Sequence, residues 1–296
     1  MYMIRRPKNN NGISYPNEQK TTEKWGLRQW RDYLYALNQA GFDVLTIDKR
    51  GHGISGGLTT SDTGEQAEDL FRMLDQLESG NGLRILAPTG ELLAGEQAAG
   101  KLLRGEQAKS VPVIIGGSSQ GSMVTAWVMQ KNFAEFYPYN NPGGRCTFPY
   151  GYNIRGALML ADFAAGIRYM EPVYTLLEGC LRTMENVMFL PSSEILTNID
   201  KWPAVFFGKG LWDKYVSVEG TFEAYKRATG LKELVLVRGP HSENEYGKEN
   251  VTYMRKKMVE FAIQAVVNPG IEIPGPANLK SAVCSSPPYW EPSSKP

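Results

Sequence analysis

The pentapeptide Gly117-Ser118-Ser119-Gln120-Gly121 constrains the fold of this chain more than any other part of its sequence. It follows the apolar run 111–115, which predicts a buried strand, and a helical pattern through about Phe136 comes after it. A residue at a sharp turn from strand to helix sits in strained backbone, and its neighbours two positions away must be small. Ser119 has glycine at both of those positions, whereas Ser118 and Ser122 do not. The pattern therefore predicts Ser119 as an exposed nucleophile.

Apolar runs alternate with helical patterns along the rest of the chain. The runs that predict buried strands are 42–47, 111–115, 154–161, 204–208 and 233–238. The patterns that predict helices are 23–40, 63–77, the segment after Gly121, 218–228 and 251–267. This alternation predicts an α/β fold with a mostly parallel sheet and helices on both faces. A site is then expected in the loops at the carboxyl ends of the strands.

A serine hydroxyl needs a neighbouring base to take its proton, and the sequence contains only two histidines. His241 follows the predicted strand 233–238, in the loop Gly239-Pro240-His241. His52 lies in the turn after the predicted strand 42–47, where a histidine is more simply interpreted as a turn residue bonded to backbone. His241 is therefore the favoured base.

The base in turn needs a carboxylate that fixes its tautomer and stabilises the imidazolium ion. Asp213 follows the predicted strand 204–208 in the turn Gly210-Leu211-Trp212-Asp213. Asp162 is the alternative, because it also comes directly after a predicted strand. Either carboxylate could instead cap a helix or lie in a loop. We favour Asp213 for this role.

These motifs together resemble the α/β-hydrolase superfamily, in its esterase- and lipase-like branch. The resemblance covers about residues 24–265 and rests on the turn 48–55, the Ser119 turn, the Gly-x-x-Asp turn and the late histidine. In that family the nucleophile precedes the acid and the acid precedes the base, which agrees with His241 and not with His52. The resemblance implies a triad of Ser119, His241 and Asp213 that works through an acyl-enzyme. It also implies that the N–H of Gln120 is one donor of an oxyanion hole.

The N-terminal part departs from the family pattern. The family has early strands, the third of which ends in a His-Gly type loop that supplies the second oxyanion donor. Residues 1–20 are polar and rich in asparagine, and no apolar run ending in His-Gly precedes the first predicted helix. We expect the first strands to be missing or the chain to start late. Residues 9–14 are a candidate source of the second donor, by position alone.

The predicted domain organisation has three parts. Residues 1–163 and 202–268 form the α/β-hydrolase core, 164–201 a small helical cap, and 269–296 a tail rich in proline and serine. Apolar and aromatic residues of the cap would suit an acyl or aryl group, or would simply form helix–helix core. Within the core, the segment 80–110 contains one near-repeat of seven residues, 92–98 and 102–108. A single duplication is too short for a solenoid and is interpreted as a surface helix or helical hairpin.

Composition excludes several classes of partner. The 32 basic residues nearly balance the 31 acidic ones, so nothing indicates nucleic acid or an anionic membrane surface. No apolar run approaches the roughly 20 residues that span a bilayer, and residues 1–20 contain no apolar signal segment. The two histidines and three cysteines (Cys146, Cys180 and Cys284) show no metal-ligand spacing, and no Gly-x-Gly-x-x-Gly follows a strand. We therefore expect no metal and no cofactor.

The predicted function is hydrolysis of small-molecule carboxylic esters. Amide or peptide hydrolysis and acyl transfer use the same three residues and stay open as alternatives. A non-catalytic binding protein of the same fold is the alternative from another class. Localisation, oligomeric state and the pairing of the cysteines are not predicted.

Overall fold

A computed structural model describes residues 27–47, 63–87, 89–133, 151–161, 196, 198–213, 218–241 and 246–268. Helices α1 (Leu27–Gln39) and α2 (Thr63–Asp75) come first, followed by strands β1 (Arg84–Leu86) and β2 (Leu92–Ala94) and helix α3 (Gly95–Leu103). The remaining elements are β3 (Val113–Ser118), α4 (Gln120–Phe133), β4 (Ile154–Leu160), β5 (Ala204–Gly210), α5 (Val218–Arg227), β6 (Leu231–Val237) and α6 (Gly247–Val267).

Strands β3 to β6 form a parallel sheet in the order β3-β4-β5-β6. Successive side chains of a strand point to opposite faces of the sheet. In β4, Ala157 and Met159 pack into the core on one face, whereas Leu158 and Leu160 pack into the core on the other. Burial on both faces explains why these strands are almost continuously apolar in sequence.

Helices cover both faces of this sheet. Helix α4 packs against α2 and against strands β3 and β4, with Trp127 and Phe71 buried in the same core. Helices α1 and α6 contact each other, and α6 lies against the strands from the other face, where Met258 and Phe261 are fully buried. The predicted α/β class, with a parallel sheet between two layers of helices, is confirmed.

The predicted strand 42–47 is not assigned as a strand in the structure. Residues 42–47 pair with no strand in the part of the chain that the structure describes, and their apolar side chains are partly buried. Phe42 and Val44 pack against the core on the α6 face, and Leu45 and Ile47 pack against the core on the α4 face. The apolar run reflects this two-sided burial, which a strand and an unpaired segment can share.

The interpretation of residues 80–110 as helical is wrong in its first half. Strands β1 and β2 pair as an antiparallel hairpin, and only the following segment is the helix α3. The two copies of the near-repeat therefore differ in structure. The first contains β2 and the start of α3, whereas the second contains the end of α3, which Arg104 closes in the left-handed conformation (φ 52°).

Several predictions fall outside the described residues. The predicted cap 164–201 is described only at Leu196 and residues 198–201, where Ile199–Lys201 form a 3-10 turn. The tail 269–296, the three cysteines and residues 1–26 also lie outside. Among the helices that are described, none has the length and apolar character needed to cross a membrane.

Candidate active site

Ser119 occupies the turn that joins β3 to α4. Its φ is 51°, in the left-handed region that non-glycine residues seldom adopt. A Cβ on Gly117 would lie 2.3 Å from the backbone oxygen of Gly121, so the turn can close this tightly only with glycine at position 117. The backbone N–H of Ser119 donates to the Leu160 carbonyl at 3.0 Å and ties the turn to the end of β4.

The first turn of α4 binds the backbone carbonyl of Ser119. Ser122 donates to the Ser119 carbonyl twice, from its backbone N–H at 2.9 Å and from its hydroxyl at 2.6 Å. Helix α4 begins at Gln120, and the first N–H groups of a helix have no acceptor within that helix. The partial positive charge of a helix N-terminus therefore lies beside Ser119.

His241 connects this serine to a carboxylate. Its Nε2 lies 2.8 Å from Ser119 Oγ, and its Nδ1 lies 2.7 Å from Asp213 Oδ2. An ionised carboxylate can only accept, so Nδ1 carries the proton and Nε2 accepts from the serine hydroxyl. The Asp213 side chain is fully buried, whereas 14% of the His241 side chain is exposed. The result is a continuous chain of hydrogen bonds from hydroxyl to imidazole to carboxylate.

The loops that carry Asp213 and His241 are held against each other by backbone contacts. Leu211 N–H donates to the Val237 carbonyl and Trp212 N–H donates to the Gly239 carbonyl, both at 2.8 Å. A Cβ on Gly210 would lie only 2.0 Å from the backbone oxygen of Pro240. Glycine at position 210 is thus what allows the two loops to approach this closely.

Sequence reasoning did not single out Lys209, which also contacts this site. Its Nζ lies 3.0 Å from Asp213 Oδ2, and both side chains are completely buried. A signal was present in the sequence, because Lys209 is the one charged residue in the otherwise apolar strand β5. A charged residue in a strand commonly faces solvent, but β5 is buried along its whole length.

The structure thus brings together Ser119, His241 and Asp213, the three residues that the sequence predicts as catalytic, and places Gln120 directly beside the serine. The alternatives Asp162 and His52 lie outside the described residues, and so does the segment 9–14. The part of the chain that is described contains no group of three histidine, cysteine or carboxylate side chains arranged to hold a metal ion.

The parallel sheet, the helices on both of its faces and the serine turn between β3 and α4 define an α/β fold. The chain resembles the thermophilic esterase Est2 of Thermogutta terrifontis in its butyrate-bound form, with a TM-score of 0.50 and 16% identity over 82% of this chain and 77% of that chain. A monoacylglycerol lipase of Paleococcus ferrophilus gives a TM-score of 0.48 at 13% identity, over 80% of this chain and 90% of the lipase. The Pyrococcus furiosus esterase Pf2001 gives 0.45 at 17%, over 80% and 74%.

At these identities the likeness concerns the fold alone. The sequence matches no family model, and no curated protein matches it.

Proposed function

We propose that this protein is a serine hydrolase that cleaves carboxylic esters through an acyl-enzyme on Ser119. One observation carries the proposal: the hydrogen-bond chain in which His241 lies 2.8 Å from Ser119 Oγ and 2.7 Å from Asp213 Oδ2. This arrangement supplies a nucleophile, a base within reach of its proton, and a buried carboxylate that orients the base.

In the first half of the proposed reaction, Ser119 Oγ attacks the ester carbonyl carbon while its proton passes to His241 Nε2. The carbonyl oxygen becomes an oxyanion, and the N–H of Gln120 at the start of α4 is the proposed donor to it. The imidazolium ion is stabilised by Asp213. When the tetrahedral intermediate collapses, the bond to the alcohol oxygen breaks and the leaving alcohol takes the proton from Nε2.

In the second half, a water molecule attacks the acyl-enzyme carbonyl and gives one proton to His241 Nε2. Collapse of this intermediate breaks the bond between the acyl carbon and Ser119 Oγ, and the serine recovers its proton from Nε2. The carboxylic acid leaves, and the site returns to its starting state. Throughout, Asp213 stays ionised and holds the imidazole in one orientation.

Esters are proposed over amides for two reasons. The solved structures of similar fold include two esterases and a monoacylglycerol lipase. An alcohol is also a better leaving group than an amine, so an ester makes a smaller demand on the protonation of the leaving atom by His241.

The test is labelling of the folded protein with a fluorophosphonate probe, followed by hydrolysis of p-nitrophenyl esters of increasing acyl length. Ser119→Ala should abolish labelling and lower kcat by at least about 10⁴-fold, because it removes the nucleophile. Ser118→Ala is the matched control, because it removes the adjacent hydroxyl from the same turn and should keep both activities. A p-nitroanilide series run in parallel measures the preference for esters over amides.

Three results would count against the proposal. Folded wild-type protein that does not react with the probe would favour the non-catalytic alternative. Labelling that survives in Ser119→Ala but disappears in Ser118→Ala would identify Ser118 as the nucleophile. Faster turnover of anilides than of matched esters would favour the amide hydrolase alternative.

A further inference from the structure

Lys209 is a charged side chain in a place where lysine is seldom found. It lies on β5, and its side chain has no exposed surface. Lysine is almost never fully buried unless it is paired, because an ammonium group loses its favourable hydration when it leaves water. Lys209 pairs with Asp213, which lies four residues later at the end of the turn that follows β5. The strand and the turn are thus linked by a buried ion pair.

The lysine and the histidine contact the same carboxylate atom. Lys209 Nζ lies 3.0 Å from Asp213 Oδ2, and His241 Nδ1 lies 2.7 Å from that oxygen. The ammonium and the imidazole are therefore within about 6 Å of each other, a separation at which two charges interact strongly in a buried site. Lys209 reaches the carboxylate from the sheet, and His241 reaches it from the loop after β6.

We propose that Lys209 is a positioning residue of this site, which fixes the Asp213 carboxylate for His241 and opposes protonation of that imidazole. The catalytic consequence rests on the proposed hydrolase function. The contact with the carboxylate and its effect on the titration of His241 do not.

The positioning effect follows from the geometry of the turn. The backbone N–H of Asp213 contacts the Gly210 carbonyl at 3.4 Å, which is long for a hydrogen bond. A hydrogen bond from a buried lysine on the rigid sheet limits the rotation of the carboxylate. In metal sites, loss of a group that orients a ligand typically lowers activity about 10- to 100-fold, and we expect a fall in kcat of similar size in Lys209→Met.

The electrostatic effect follows from the charges. A lone buried carboxylate strongly favours an imidazolium ion beside it, whereas a carboxylate already paired with an ammonium favours it less. Removing the charge of Lys209 should therefore move the protonation of His241 to higher pH. In the proposed reaction, the lysine favours the transfer of the proton from His241 Nε2 to the leaving alcohol.

The chain offers a matched control in a second buried lysine. Lys131 is 2% exposed and contacts the Glu68 carboxylate and, at 3.4 Å, the Gly64 carbonyl. It lies on α4, twelve residues after Ser119, which places it about 18 Å from the serine along the helix axis. Lys131→Met removes a buried lysine–carboxylate pair of the same type without touching the proposed site.

The decisive experiment is an NMR titration of the imidazole signals in protein labelled with ¹⁵N-histidine. The chain has only two histidines, so a His52→Gln variant assigns both signals. In Lys209→Met the titration midpoint of His241 should rise by about one pH unit or more, and in Lys131→Met it should stay as in wild type. An unchanged His241 midpoint in folded Lys209→Met overturns the proposal, and so does an equal rise in Lys131→Met.

Lys209→Gln separates the two effects, because it keeps a hydrogen-bond donor and removes the charge. Its kcat should exceed that of Lys209→Met, while the His241 midpoint stays raised. If kcat is the same in the two variants, the positioning effect is wrong. If circular dichroism shows that Lys209→Met is unfolded, the titration is done on Lys209→Gln, in which the His241 midpoint should also rise.

The titration needs no turnover, so it separates this proposal from the proposed function. If the wild type neither reacts with the probe nor hydrolyses esters, but the His241 midpoint rises in Lys209→Met, the function fails and the coupling stands. If the wild type is active and the midpoint does not move, the coupling fails and the function stands.

Discussion

Replacing Gly210 with alanine should separate His241 from Ser119 without altering any of the side chains proposed to react. A Cβ at this position would lie 2.0 Å from the backbone oxygen of Pro240 and 2.3 Å from that of Gly239. Van der Waals contact begins at about 3.5 Å, so one of the two loops has to retreat by more than about 1 Å. Backbone atoms form the obstacle, and a change of side-chain rotamer cannot relieve it.

The expected magnitude follows from the same distances. The bond between His241 Nε2 and Ser119 Oγ measures 2.8 Å, and a retreat of about 1 Å takes it beyond the reach of a hydrogen bond. A misplacement of this size can lower the rate about 10²-fold. Overpacking typically costs about 1–3 kcal/mol of the free energy of unfolding, so the variant should fold with a melting temperature only several degrees lower.

The assay is kcat for p-nitrophenyl butyrate, measured together with the melting temperature. Gly100→Ala is the control, because a Cβ there meets nothing within 4 Å and the position lies inside helix α3. It should leave kcat unchanged and stabilise the protein by up to about 1 kcal/mol. A Gly210→Ala variant with kcat within about threefold of wild type and an unchanged melting temperature would refute the close approach of the two loops.

Three further predictions concern pH and stability. The value of kcat/KM for a neutral ester should fall as the pH drops, because a protonated Nε2 of His241 cannot accept the serine proton; a flat profile from about pH 5 to about pH 8 would contradict this role. Burial and the hydrogen bond to Asp75 raise the pKa of Tyr152, so its stabilising effect is complete below about pH 10, the pKa of an unfolded tyrosine, and decreases above it. Tyr152→Phe should therefore lower the free energy of unfolding by about 1–2 kcal/mol at neutral pH, measured in urea, with a smaller deficit at strongly alkaline pH. Trp127→Ala should lower the free energy of unfolding by about 3–5 kcal/mol, because a side chain only 1% exposed leaves a large cavity; a loss below about 1 kcal/mol would show that Trp127 is not at the centre of the core.

Local pattern was sufficient wherever a residue's environment is set by its neighbours in sequence. The apolar runs that became β4 and β5 were predicted because strands buried on both faces need apolar side chains at every position. The Ser119 turn was predicted because its strain demands small residues at fixed offsets. In the structure, a Cβ added at position 117 would collide with the backbone of Gly121, so only glycine fits there.

Local pattern failed where structure depends on a distant partner. Residues 42–47 have the composition of a strand, but a strand also needs a second chain segment to complete its hydrogen bonds, and no pattern within six residues specifies one. The near-repeat 92–98 and 102–108 shows the same limit. Two nearly identical segments adopt different structures because only the first follows a strand, β1, with which it can pair.

The sequence by itself determined the α/β class, the single serine suited to the turn, and a short set of candidate partners for it. It did so because burial, helical periodicity and turn strain are properties of short segments. Only the tertiary structure decided that these three side chains meet. His241 contacts Ser119, which lies 122 residues away in sequence, and Asp213, which lies 28 residues away. The tertiary structure also decided that the Lys209 ammonium contacts Asp213 Oδ2, the oxygen that His241 contacts. Contacts of this kind arise when parallel strands bring their carboxyl ends to one edge of a sheet, and that alignment belongs to the packed sheet and not to any one segment.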